Sequence, residues 1–171
     1  TEQYKKNPAI TTVTHRNFNR IDNFSAFLTA SPAVGSWHPQ LTVGGQKQWA
    51  KIEHNGETLQ MDTPLFFCTL NNGIQLPYHW TLSTDINFQS KGDYQNIYMY
   101  QNVFMMNATL TKSFLNEHLS IHLQGIDLTH GRKDGNRIYN KHMNMDVANV
   151  SDSRELRFTI RYKFNTAKSK Y

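Results

Sequence analysis

The stretch Trp80-Thr81-Leu82-Ser83-Thr84-Asp85-Ile86-Asn87-Phe88-Gln89 sets Trp80, Leu82, Thr84, Ile86 and Phe88 against Thr81, Ser83, Asp85, Asn87 and Gln89. Successive side chains of a strand point to opposite faces, so this stretch reads as a strand with one oily and one wet face. The period recurs in Leu156, Phe158, Ile160, Tyr162 and Phe164 against Arg157, Thr159, Arg161 and Lys163. It returns in Leu119, Ile121 and Leu123 against Ser120, His122 and Gln124, and more weakly in Phe104, Met106, Ala108 and Leu110 against Asn107, Thr109 and Thr111. Few windows hold the i, i+3, i+4, i+7 spacing of an amphipathic helix. The chain reads as all-β.

Between the periodic segments the connections alternate in kind. Short turns fall at Ser31-Pro32-Ala33, Leu76-Pro77-Tyr78 and Phe114-Leu115-Asn116-Glu117. Longer polar stretches run from Arg16 to Arg20, His54 to Thr63, Ser90 to Gln95 and from Gly131 onward, and they carry glycine and asparagine, as in Asn55-Gly56 and Lys91-Gly92-Asp93. This spacing predicts an antiparallel up-and-down meander of about eight strands, near 9–16, 20–31, 37–53, 63–76, 79–90, 96–113, 118–129 and 153–164, with one tight end and one loopy end.

Composition removes several classes. The chain has 171 residues, 18% of them charged, against the roughly 25% of an average soluble domain. Uncharged polar residues fill the gap, with 17 Asn, 10 Gln and 16 Thr. No run approaches the ~18 apolar residues of a spanning helix. Aromatic residues make up 12%, too many for a disordered chain. The single cysteine, Cys68, excludes an intramolecular disulfide framework and a multi-cysteine metal site, and its apolar setting reads as an inert thiol. The net charge is +5, but the positive residues are scattered or gathered at the tail (Arg154, Arg157, Arg161, Lys163, Lys168, Lys170), which argues against nucleic acid as a partner. Thr1 to Pro8 is polar and lacks the apolar core of a signal peptide, so the chain reads as mature or as cut from a longer one.

The segments 37–53 and 96–113 far exceed the roughly 5–6 residues of a mean soluble strand. Long alternating strands with short turns on one side and loops on the other are the pattern of a transmembrane β-barrel, because lipid offers the backbone no hydrogen-bond partner and the sheet must close. Aromatics near strand ends (Trp37, Tyr78, Trp80, Phe114, Tyr162, Phe164) suit an interfacial girdle. A soluble β-sandwich that binds glycan also alternates. Strand length and a wet face of Asn, Gln, Thr and Ser, rather than Lys and Glu, favour the barrel.

Specific segments resemble TonB-dependent outer-membrane receptors. Ser36-Trp37-His38-Pro39-Gln40-Leu41-Thr42-Val43-Gly44 resembles a strand start in their barrel, and Asn107 to Leu115 resembles the strand and turn before the last hairpin. Leu119 to Leu128 is similar to the penultimate strand, with Leu128 where an aromatic is common. Glu155 to Phe164 resembles the closing strand, followed by a tail, 165–171. The resemblance implies a barrel of about 22 strands around a plug domain. It places this chain, 1–171, as a single C-terminal barrel region without the plug, in the bacterial outer membrane, serving nutrient uptake. The partners it implies are outer-membrane lipid, the rest of the barrel and plug, the TonB complex acting through the plug, and a surface lipoprotein. The family's periplasmic C-terminus would put the tight turns inside and the long loops outside, with Arg137 to Val150 either a hairpin extension or long strand above the lipid, or an extra strand that would invert the topology. A complete small barrel of eight strands is the other membrane reading.

On this reading Asp85, Asn87, Gln89, Arg157, Arg161 and Lys163 face the lumen. Trp80, Leu82, Ile86, Phe88, Leu156, Phe158, Ile160, Tyr162 and Phe164 face lipid. His118 and His122 would lie about 13 Å apart on one strand face, too far to share a metal. Met143 and Met145 read as packing residues. No nucleophile, phosphate-loop or dinucleotide motif is present, so neither an enzyme nor a cofactor is expected. Trp49, Tyr94, Tyr98 and Tyr100, among loop amides, read either as a sugar-binding mouth or as girdle and loop packing.

Overall fold

The computed structural model describes residues 2–7, 10–14, 20–150 and 152–164. The strands in chain order are β1 (Glu2–Asn7), β2 (Ile10–Thr14), β3 (Ile21–Ala30), β4 (Trp37–His54), β5 (Glu57–Met61), β6 (Leu65–Leu76) and β7 (Trp80–Gln89). They continue as β8 (Gly92–Tyr94), β9 (Ile97–Met99), β10 (Val103–Phe114), β11 (Leu119–Ile126), β12 (Lys133–Tyr139), β13 (Asn144–Val150) and β14 (Glu155–Tyr162). No helix occurs among the described residues.

Seven strands pair edge to edge in the order β14-β11-β10-β7-β6-β4-β3, every neighbour antiparallel. The fold is therefore an all-β antiparallel meander, and its sheet is open, with β3 and β14 at the two edges. The segment expected near 9–16 does not join it. There β2 pairs with β1 in a separate two-stranded sheet, leaving seven strands in the wall rather than eight. The segment expected at 96–113 is two strands, since the chain leaves the ladder between Met99 and Val103.

The two ends of the sheet differ. At one end the chain reverses in the tight turns after β3, β6 and β10. The turn after β6 holds Tyr78 and His79 at φ 59° and 60°, and that after β10 holds Leu115, Asn116 and Glu117 at 52°, 50° and 66°. Left-handed residues of this kind match the right-handed twist of a hairpin. At the other end the strands grow beyond the sheet. β4 pairs with β6 from Trp37 to Gln46, and beyond that level with β5 from Ala50 to His54. Asn55-Gly56 closes that hairpin with φ 51° and 84°, the backbone the Asn-Gly pair favours. The excursions 90–102 and 127–154 build a second sheet, β13-β12-β9-β8, in which β12 and β13 form a hairpin and β12 joins β9. Two stretches read as plain loops in the sequence thus contain β5 and β8.

The buried apolar core lies in this extension. Ala50, Ile52 and Met61 are 1%, 5% and 2% exposed, and Ile21, Leu59, Tyr98 and Tyr139 pack against them. Hydrogen bonds tie the pieces together. The Gln48 amide donates to the Gln95 carbonyl at 2.8 Å and accepts from the Gln95 N–H at 2.6 Å. His54 Nδ1 donates to the Asn140 carbonyl at 2.6 Å, and Lys141 Nζ lies 2.9 Å from the Glu53 carboxylate. The seven-strand wall itself has no second layer among the described residues. Leu156, Phe158 and Ile160 are 76%, 62% and 61% exposed. That overturns the β-sandwich, whose apolar faces would cover one another.

Candidate functional site

Residues opposite one another in an antiparallel pair share a face, so the register sorts every wall side chain. One row across the sheet is Trp37-Ile74-Leu82-Leu110-Leu123-Phe158, and the next toward the extension is Pro39-Asn72-Thr84-Ala108-Gly125-Leu156. Above them run Leu41-Leu70-Ile86-Met106 and Val43-Cys68-Phe88-Phe104. Trp80, Leu82, Ile86, Phe88, Leu156, Phe158, Ile160 and Tyr162 all stand on this apolar face. Its polar pair is internally satisfied: Asn72 accepts from the Trp37 indole at 3.2 Å and donates to Thr84 Oγ1 at 3.0 Å.

Trp37, Tyr78, Trp80, Phe114 and Tyr162 all gather at the tight-turn end. Lys112 joins them, its ammonium 5.1 Å from the Trp80 ring centre and 5.4 Å from that of Phe114, and donating to the Tyr78 carbonyl. A long stem lying on apolar surface with its charge at the rim is how lysine sits at a lipid boundary.

The opposite face is amide and hydroxyl. Gln40, Asn71, Asp85 and Asn107 form one row, and Thr69, Asn87 and Met105 the next, with Thr69 Oγ1 donating to Asn87 Oδ1 at 3.2 Å. Toward the tight turns, His122 lies between Thr111 and Ser120, 2.9 Å from each hydroxyl. Asp85, Asn87, Gln89, Arg157 and Arg161 stand on this face. Arg157 is held by Glu155, with bonds of 3.0 Å to both carboxylate oxygens. Lys163 and Phe164 lie past the end of β14. The Lys163 N–H donates to the His118 carbonyl at 2.8 Å, and Phe164 meets Tyr162 edge-on at 4.6 Å.

Several features of this wall went unread in the sequence. Gly44 is overlain by Phe27 and Phe67, whose ring centres are 4.9 Å apart, an apolar island in the polar face. Asp127, 2% exposed, clamps the base of the longest excursion. Its carboxylate accepts from the Gly131 N–H at 2.8 Å, the Arg132 N–H at 3.2 Å and the Ser153 hydroxyl. Burial pushes this carboxyl up, but the bonds from Ser153, Gly131 and Arg132 together with nearby His130 outweigh it, and the group lies below its usual range. The aromatics read either as a sugar-binding mouth or as girdle and loop packing fall in different settings, with Tyr94 41% exposed at the end of β8. Tyr98 packs on the extension's core, Tyr100 lies over Gly135, and Trp49 points to the side of the apolar face.

A single-layer antiparallel wall, apolar on one side and amide-rich on the other, short-turned at one end and built up at the other, defines an outer-membrane β-barrel protein. The family model for the outer membrane protein beta-barrel family matches residues 1–162, and the chain belongs to that family, which places it in the bacterial outer membrane. No curated protein and no solved structure matches it.

Proposed function

We propose that this chain is part of the barrel wall of a TonB-dependent receptor that takes up a polar nutrient. The carrying observation is the polar row Gln40-Asn71-Asp85-Asn107, three amides and a carboxylate, on a sheet whose other face is open apolar surface. With the apolar face against lipid, the row lines an aqueous lumen, and Arg161, which forms no ion pair among the described residues, is left to meet an acidic group on a plug. Among the described residues the wall has seven strands and two unpaired edges, whereas a barrel in lipid must close. A wider barrel supplies the missing strands, and the extension forms part of its external mouth. Function is then binding and passage, with energy arriving through the plug and no covalent chemistry.

The test is growth of a deletion strain on limiting single carbon and iron sources, with uptake measured before and after a protonophore. The reading requires a source on which the deletion fails, the wild-type protein restores growth, and uptake stops when the proton gradient collapses. Complemented uptake that ignores the protonophore would contradict it.

A further inference from the structure

The polar face of the wall carries its aromatic island among uncharged neighbours. Three successive rows across this face are Ser25-Gln46-Leu65, Phe27-Gly44-Phe67-Gln89-Val103 and Thr29-Thr42-Thr69-Asn87-Met105. No charged side chain stands on any of them. Gly44 lies between the two rings, and a Cβ added there would stand 2.5 Å from Phe67 and 2.8 Å from Phe27. With no Cβ in the way, the rings lean together from β3 and β6 over the bare backbone of β4, 4.9 Å between centres and 33° between planes. Phe27 is 62% exposed and Phe67 half-buried, so together they form an open apolar plate. A wall strand added beside β3 would join in the plane of the sheet and leave that plate uncovered.

Hydrogen-bonding capacity is left over around the plate. The Gln46 amide, one row above Gly44, has no partner among the described residues. Asn87 accepts from Thr69 through Oδ1, which leaves its NH2 to donate. The Thr29 and Thr42 hydroxyls lie 3.1 Å apart, and one donates to the other, so one proton of the pair stays free. Gln89 is already spent, its amide 2.8 Å from Met99 Sδ.

We propose that this plate is a sugar subsite, in which one ring of a neutral oligosaccharide stacks on Phe27 and Phe67 while its hydroxyls bond to Gln46, Asn87 and the Thr29–Thr42 pair. The inference names the substrate class of the polar nutrient, and it rests on that reading for the polar face being the lumen. A pyranose has an apolar C–H face and a rim of hydroxyls, which is the complement of an aromatic plate edged by unspent amides and hydroxyls. An anionic or cationic ligand would enter the lumen here without a counter-charge. A wholly apolar one would bury Gln46 and Asn87 with their hydrogen bonds unmade.

The whole barrel protein that contains this chain, purified from outer membrane in detergent, is screened on an array of neutral and uronic-acid oligosaccharides, and the tightest-binding glycan is titrated by calorimetry. A neutral glycan is expected to bind, and its uronic-acid counterpart more weakly. A ring over a strand glycine also shields the backbone. The double variant Phe27→Leu/Phe67→Leu keeps an apolar cover on Gly44 but removes the flat faces, and it is expected to lose about tenfold in affinity. Phe24→Leu, the same change on the outward face of β3, is expected to bind as wild type does. Folding is checked by heat-modifiable migration. If the double variant does not fold, Gln46→Ala, which gives up one hydrogen bond to the sugar, is expected to lose about fivefold. Binding of no neutral glycan, tighter binding of the uronic-acid form, or unchanged affinity in the folded variants overturns the proposal. Protonophore-sensitive uptake of a nutrient by a protein that binds no neutral glycan would overturn the sugar subsite alone. Ring-dependent glycan binding with uptake that ignores the protonophore would support the subsite and overturn the transporter reading.

Discussion

Arginine placed at Ile86 and at Asn87, neighbours on β7, should have opposite consequences. Ile86 sits in the row Leu41-Leu70-Ile86-Met106, with no acid in reach on that face. Six residues separate it from Trp80 in the tight-turn girdle. At about 3.4 Å per residue and a tilt of about 40°, Ile86 stands roughly 16 Å above that girdle. The centre of an apolar band about 25 Å tall is then within about 3 Å. An arginine at that depth costs about 2–4 kcal/mol, a roughly 30- to 900-fold fall in the folded-to-unfolded ratio. Asn87 faces the other way, beside Thr69 and Met105 and two residues from Asp85. Asn87→Arg forfeits the Thr69 hydrogen bond, about 1 kcal/mol at most, and its charge stays in water. The assay is equilibrium refolding of the whole barrel protein that contains this chain into lipid vesicles against urea, read by heat-modifiable migration. Losses equal within about 0.5 kcal/mol, or a larger loss at Asn87, would refute the assignment of the two faces.

Four further outcomes follow from the extension. Asp127 has a depressed folded pKa, so its stabilisation is complete above the unfolded value of about 4 and fades as pH falls through the folded one; limited proteolysis of 127–154 should rise as pH drops from 5 toward 3, and Asp127→Asn should be cut already at pH 7. Gly131→Ala puts a Cβ 1.5 Å from the Phe104 carbonyl oxygen, so the backbone must move, at a cost at or beyond about 3 kcal/mol; proteolysis should show the excursion released. Gln48→Ala leaves the Gln95 N–H and C=O without their partners, at a cost of about 1–3 kcal/mol, which hydrogen exchange should report as lost protection at Gln95. Breaking the exposed Arg137–Asp146 pair with Asp146→Asn should leave the melting temperature unchanged, because solvent and salt screen it.

The alternation in Trp80–Gln89 and Glu155–Tyr162 was legible because a strand's period of two is a local property, and lipid on one side with water on the other writes it cleanly into the sequence. The three tight turns were legible for the same reason, since a short reversal between two alternating runs leaves few conformations open. Asn55-Gly56 carried the signal for the β4–β5 hairpin, yet the polar residues around it read as loop. Of the extension, a hairpin over 137–150 was among the readings of the sequence and β12–β13 form it, whereas β8 and the break after β9 were hidden because β8 and β9 are three residues each, too short to show a period.

What the sequence alone determined is the two-faced antiparallel wall and which residues share a face, since both follow from backbone geometry and solvent preference along each strand. What only the tertiary structure decided is how distant segments meet: the core of Ala50, Ile52 and Met61 beneath Tyr98 and Tyr139, the Gln48–Gln95 amide pair, and the Asp127 clamp. Each joins residues far apart in the chain, and their contact depends on strand order and register, which no local pattern encodes.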